Sequence, residues 1–213
     1  MKNKKSNHSF LILVISALIG LTLTLITTHS DSEASIQKDI AKKIIRFHVI
    51  ANSDSNEDQE LKLKVKDAVV SYISPLLKKS GSIKESESVL IRESDNIKNI
   101  ALNIIHDNGY SYDVEAIITD TYFPTKVYGE FSFPPGKYHA YEIKIGKAQG
   151  KNWWCVLYPP LCFVDVSLGV VDEDGKKMLS KTLTTEEYSA VSKDCKVAYR
   201  FKYLKFLNSL LED

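Results

Sequence analysis

Few side chains in this chain could do covalent or acid–base chemistry. Its cysteines are Cys155, Cys162 and Cys195, and its histidines are His8, His29, His48, His106 and His139. A thiol nucleophile needs an imidazole within reach. Cys155 or Cys195 with His48 or His139 is the pairing to weigh, and no spacing supports it. His48 lies inside an apolar run, which suits a satisfied core or rim imidazole better than a catalyst. Asp54, Glu57, Asp58 and Glu60 form an acidic cluster after that run. A calcium loop would need ligands at fixed spacing around a central Gly, and that Gly is absent. Acids at a helix N-terminus complement its dipole and explain the cluster. No Gly-rich phosphate loop follows a strand, no Ser sits in a nucleophile elbow, and no His or second Cys pair has metal-ligand spacing. The expectation is no catalytic residue, no metal and no cofactor.

What remains is sulfur–sulfur chemistry. Cys155 and Cys162 bracket Val156-Leu157-Tyr158-Pro159-Pro160-Leu161. An uninterrupted strand would hold them about 23 Å apart, whereas a disulfide needs Cα atoms within about 7 Å. A bridge requires the chain to reverse at Tyr158-Pro159-Pro160, where proline fixes φ, removes ladder donors and admits a cis peptide bond. Closing so small a loop contributes about 2–3 kcal/mol at most in the chain-entropy model. The alternative is two buried thiols in a sheet core. Cys195 precedes a helical pattern and reads as a packed thiol, with intermolecular pairing as the other option. Trp153-Trp154 sits beside Cys155. In a strand the two rings point to opposite faces, so one is core and the other meets solvent, a partner or an overlying helix.

The elements that position these residues follow from periodicity. Ile44–Ala51, apolar and rich in β-branched residues, reads as a buried strand ended by Asn52-Ser53-Asp54-Ser55-Asn56. Ser55 and Asp58 resemble a capping box for a helix whose inner face is Leu61, Val65, Ala68, Val69, Tyr72 and Ile73. Lys62, Lys66 and Asp67 point away from that face, and Pro75 marks an end or a kink. Residues 78–88 read as a solvated loop. A second helix is predicted over Ser94–His106, closed by Asn108-Gly109 as a left-handed cap. Tyr112–Tyr122 reads as a strand broken by Phe123-Pro124. Pro134-Pro135-Gly136 is a turn, and Tyr138–Ile145 and Asn152–Leu157 are two antiparallel strands around a Gly146–Gly150 turn. A strand over Phe163–Val171, a turn at Asp174-Gly175, a short helix over Glu186–Val191 and a final helix over Val197–Leu211 complete the pass. The order argues an α+β domain with a mostly antiparallel sheet packed by helices.

Residues 1–34 look like a targeting segment. Lys2, Lys4 and Lys5 precede Phe10–Ile26, 17 residues without a charge, and then a small, polar stretch. Ser32 and Ala34 suit a cleavage site after Ala34. The other option is an uncleaved anchor, although 17 residues span only about 25 Å of a hydrocarbon core of about 30 Å. The lysines keep the N-terminus inside and send the following domain, residues 35–213, across the membrane. The 28 basic and 27 acidic residues lose three and two with residues 1–34, leaving 25 of each. With no basic field and only three Arg (Arg46, Arg92, Arg200), nucleic-acid binding is not expected.

Specific runs carry a resemblance. Asn152-Trp153-Trp154-Cys155-Val156-Leu157-Tyr158-Pro159-Pro160-Leu161-Cys162 resembles the signature of the stage II sporulation protein R family. His48-Val49-Ile50-Ala51-Asn52-Ser53-Asp54, with Asp58-Gln59, Leu61-Lys62 and Val65-Lys66-Asp67, resembles its other block. Phe123-Pro124-Thr125-Lys126-Val127-Tyr128-Gly129 and Pro135-Gly136-Lys137-Tyr138 also fit, so the likeness covers roughly residues 44–165. Lys66 stands where the family usually has Arg, Ala148 where it usually has Gly, and Tyr158 where Phe is common; residues 166–213 match no motif. The resemblance implies a protein exported from the forespore into the intermembrane space. There it would act as an intercellular signal and not as an enzyme. Its partner would be a membrane-bound aspartic-type peptidase of the mother cell, which matures the early mother-cell sigma factor. An intermembrane scaffold, or a thiol hydrolase using Cys155 or His48, are the other readings. Partner contact is expected at the loops near strand ends, through Trp153, Tyr158, Pro159, Pro160, Asn52 and Asp54, because a bridged Pro-Pro loop loses little entropy on binding.

Overall fold

A computed structural model describes residues 12–22, 35–162, 164–165, 170–171 and 173–192. Residues 12–22 are helical, as are residues 35–41, which form α1. Among the described residues no helix is long and apolar enough to cross a membrane. Ala34, Cys195 and the helix expected over Val197–Leu211 lie outside the described residues.

Strand β1 (Ile45–Ile50) is buried on both faces, as a β-branched run without strict alternation should be. Three helices follow it: α2 (Asn56–Leu77), α3 (Ile83–Arg92) and α4 (Ser94–Asp107). Then come β2 (Val114–Phe123), the short hairpin β3 (Lys126–Tyr128) and β4 (Phe131–Phe133), β5 (Gly136–Ile145) and β6 (Asn152–Tyr158). A hairpin of β7 (Val164–Asp165) and β8 (Val170–Val171) precedes α5 (Glu173–Thr182) and α6 (Thr185–Val191).

The main sheet runs β2-β5-β1-β6. β5 lies parallel to β1, while β2–β5 and β1–β6 are antiparallel. This is the expected α+β architecture with a mostly antiparallel sheet. Alternation along β1 divides two cores. Ile45, Phe47 and Val49 face α2, α3 and α4 together with Tyr141, Ile143, Cys155 and Leu157. The opposite face packs Tyr138, Ala140 and Val156 against Ile40, Ile44, the β3–β4 hairpin and α5–α6.

Several local expectations give way to tertiary context. The stretch read as a loop over residues 78–88 contains the start of α3. Ser82 caps it by accepting from the Glu85 N–H, and Ser86, Val89 and Leu90 are buried at helical spacing. Pro75 lies inside α2, which continues to Leu77. Ser55 caps α2 as expected, but the Asp58 carboxylate turns away from the reciprocal bond and accepts from Asn52 and Ser53. Lys62 is buried, not outward, and donates to the Lys151 carbonyl at 3.1 Å. Asp174-Gly175 is not a turn but the first turn of α5, with Gly175 buried. Of the strand expected over Phe163–Val171, the described residues form two short antiparallel strands, β7 and β8.

The largest difference is between β5 and β6. They do not pair around the Gly146–Gly150 turn, because β1 lies between them. The turn is held to the end of β1. Gly150 N–H donates to the Ala51 carbonyl at 2.9 Å and Gln149 N–H to the Asn52 carbonyl at 3.1 Å. A Cβ on Gly150 would sit 2.1 Å from the Ser53 carbonyl oxygen, so only glycine allows this approach.

Candidate functional site

The tryptophans sit on β6, an edge of the sheet, and their rings divide between its faces as strand geometry requires. Trp153 packs toward the helices. It meets Phe47 edge-on at 6.1 Å, and Lys66 Nζ lies 4.8 Å from its ring centre. Lys66 thus makes a cation–π contact with this indole. Trp154 lies on the opposite face, stacked on His48 at 4.9 Å with an interplanar angle of 5°. Phe123 meets it edge-on at 4.7 Å, and Lys126 Nζ approaches it at 5.6 Å. Both indoles are half-buried, held by these contacts and still partly accessible.

Beneath Trp154 lies a buried polar group. His48 Nε2 is 2.6 Å from Glu142 Oε2, and both side chains are almost wholly buried. Their opposition follows from the parallel register, in which His48 faces Glu142 across β1–β5. This is a close contact and not a well-aligned hydrogen bond, and His48 Nδ1 has no hydrogen-bond partner. Burial holds the imidazole below its ordinary pKa despite the Glu142 carboxylate beside it. Lys144 Nζ holds the other Glu142 oxygen at 2.8 Å.

Arg46, two residues before His48, is fully buried among Phe123, Tyr138, Phe133 and Tyr128, at 4.4, 5.0, 5.4 and 5.8 Å from their ring centres. Its Nε donates to the Cys155 carbonyl at 3.1 Å and a terminal nitrogen to the Tyr128 hydroxyl at 3.2 Å. No carboxylate of the described residues pairs with it, so ring faces supply the compensation a buried cation needs. Burial pushes the Tyr128 hydroxyl up to about 12. Sequence reading missed Arg46 and Glu142. The spacing of Arg46 and His48 within an apolar strand was the available signal, since it puts two polar side chains on one face.

The expected contact residues separate into two places. Asn52 and Asp54 lie beyond the C-terminal end of β1, where Ile50 faces Asn152. There they hold loops. Asn52 Oδ1 accepts from Lys147 N–H at 2.9 Å, and Asp54 Oδ1 accepts from Lys151 N–H at 2.6 Å. Burial pushes the Asp58 carboxyl up, but hydrogen bonds from Ser53 and Asn52 outweigh it and hold it below the usual carboxylate range. Tyr158, Pro159 and Pro160 lie at the opposite end, where Tyr158 faces Ile45, and all three are buried. The Tyr158–Pro159 peptide is cis. Cys155 and Cys162 are joined by a disulfide with Cα atoms 5.4 Å apart, and Leu161 N–H returns to the Val156 carbonyl at 3.0 Å. The proline loop is therefore an inward-packed clasp on β6, and the indoles between the two ends are the accessible anchors.

Among the described residues no group of three or more His, Cys, Asp or Glu side chains could hold a metal ion. His139 contacts Asp120 at 3.0 Å and Glu87 at 3.3 Å.

Comparisons with known proteins agree on one family. The family model described as Stage II sporulation protein R matches residues 41–168. The chain is also 38% identical over 174 residues to the Stage II sporulation protein R of Bacillus subtilis (strain 168), which covers 81% of this chain and 76% of that protein. No solved structure matches. The matched residues contain the tryptophan strand, the disulfide loop and the buried His48–Glu142 pair, and the chain belongs to the stage II sporulation protein R family.

Proposed function

We propose that this sporulation protein is an exported intercellular signal. Made in the forespore and sent into the intermembrane space by residues 1–34, it activates a membrane-embedded aspartic protease of the mother cell. That protease then removes the inhibitory pro-sequence of the early mother-cell sigma factor. The observation that carries this reading is family membership across the core of the chain. The protein acts as a ligand and not as a catalyst: it holds the active arrangement of its receptor better than the inactive one. The tryptophan strand is the contact we favour. Each indole is anchored on one side by Phe47 and Lys66 or by His48 and Phe123, so little side-chain freedom is lost on binding.

The test is cleavage of the sigma-factor precursor in cells carrying the receptor protease and its substrate, with and without this chain. Cleavage is expected only with the exported chain. Trp153→Ala and Trp154→Ala should each reduce it at least about tenfold, the loss typical of a buried aromatic anchor, while secreted protein level and circular dichroism stay unchanged. No cleavage from folded, exported protein would end the signalling reading. Full activity in both variants would remove the indoles from the contact.

A further inference from the structure

The end of β6 opposite the acidic loop opens on a cationic cleft. It has a volume of about 780 Å³ and lies between the end of α1, the α2–α3 turn and α5. Lys42, Lys43, Lys78, Lys177 and Lys181 line it, against the single acid Asp174. Nearby acids offset part of this charge. Lys42 Nζ lies 2.8 Å from Asp39, Lys43 Nζ 2.6 Å from Glu187, and Lys78 Nζ 3.9 Å from Asp174. No acid of the described residues pairs with Lys177 or Lys181, so the cleft stays positive after these pairs are counted.

An independent observation points the same way. Ser80 lines the cleft, is only 4% exposed, and its Oγ has no hydrogen-bond partner. Buried hydroxyls are normally satisfied, and one left open beside lysines suits an anionic oxygen. The cleft also receives the N-terminus of the ten-residue helix α3 through Ser82 and Ile83, whose dipole favours negative charge. Glu85 already takes the Gly81 N–H at 2.8 Å, so the Ser80 hydroxyl, Lys177 and Lys181 are the open positions. Tyr158, Pro160 and Met178 supply apolar wall. A concave, partly apolar site with cations on one rim fits a peptide side chain better than a flat lipid surface.

We propose that this cleft binds an acidic segment of a protein partner, with a carboxylate held by Lys177, Lys181 and the Ser80 hydroxyl. The proposal deepens the signalling reading by naming a second contact of the same strand. It can be tested without the receptor. The full chain in mild detergent is titrated into a fluorescein-labelled Glu-rich decapeptide, and anisotropy is followed at low and physiological salt. A Gln-rich peptide of equal length and glycerol phosphate serve as competitors. Saturable binding of the Glu peptide is expected. Lys177→Glu with Lys181→Glu should weaken it about tenfold, as two unpaired rim charges allow, and Ser80→Ala at least about threefold. Lys98→Glu with Lys147→Glu, the same charge change elsewhere, should leave it within about twofold.

No saturable binding, equal loss in both double variants, or displacement by glycerol phosphate but not by unlabelled Glu peptide would overturn the proposal. The sigma-precursor assay separates the two readings. Wild-type signalling without peptide binding removes the cleft and leaves the signal, whereas peptide binding without signalling keeps the cleft and removes the signal.

Discussion

At His48 the chain stores a pH dependence. Burial depresses the folded-state pKa below the unfolded value of 6.5, so the unfolded state binds the proton more readily. Stability is then fully present above about pH 6.5 and is lost as pH falls below it. The carboxyls that titrate low act in a more acidic window. Glu93 is held at about 2 by hydrogen bonds from Asn96, Tyr72 and Arg92, and contributes stability lost only as pH falls below about 4.5. The urea midpoint should therefore drop between pH 7 and 5.5, and His48→Gln should flatten that slope while keeping the lower one. An unchanged slope in the variant would assign the dependence to another group. His48 itself was readable as a buried imidazole. Its carboxylate was not, because Glu142 lies 94 positions away and only the β1–β5 register makes them opposite.

At the scale of elements, the turn over Gly146–Gly150 decides the sheet. Local sequence makes it a hairpin, since two apolar runs flank a glycine-rich segment. Instead its backbone bonds to Ala51 and Asn52 and leaves a gap between β5 and β6 that β1 fills. Two substitutions should act in opposite directions. Gly150→Ala drives a Cβ into the Ser53 carbonyl and should destabilise by about 1–3 kcal/mol, the usual range for overpacking. Ala148 holds a left-handed φ of 50°. Ala148→Gly should stabilise by about 1 kcal/mol, by relieving a left-handed residue. Thermal melts of both variants check the pair. Helix α3 eluded local reading for a different reason: its Lys, Ser and Glu content looks like loop, and its buried Ser86, Val89 and Leu90 gain meaning only against α2 and the sheet.

Across the whole molecule, one sheet carries a core on each face, and the disulfide clasp closes its edge beside the helical core. With so much apolar surface buried, the bridge supplements folding and does not enable it. Cys155→Ser with Cys162→Ser should lower unfolding free energy by about 2.5 kcal/mol, from an eight-residue loop in the chain-entropy model. Urea denaturation should show this with native circular dichroism retained, and a variant that cannot fold would contradict it. The chain's own order of residues was enough for the apolar strand at Ile44–Ala51, the helix at Ser94, the opposed tryptophans, the reversal at Pro159-Pro160 and the family. These depend on periods of two and 3.6 and on proline geometry, which act between near neighbours. Tertiary structure alone decided that β1 separates β5 from β6, that Arg46 sits in a cage of four rings, that Tyr158 and the prolines turn inward, and that lysines at the ends of α1 and α2 and on α5 line one cleft with Ser80. Each of those joins residues tens of positions apart. Such pairings are selected by the burial of whole faces against one another, which no local window contains.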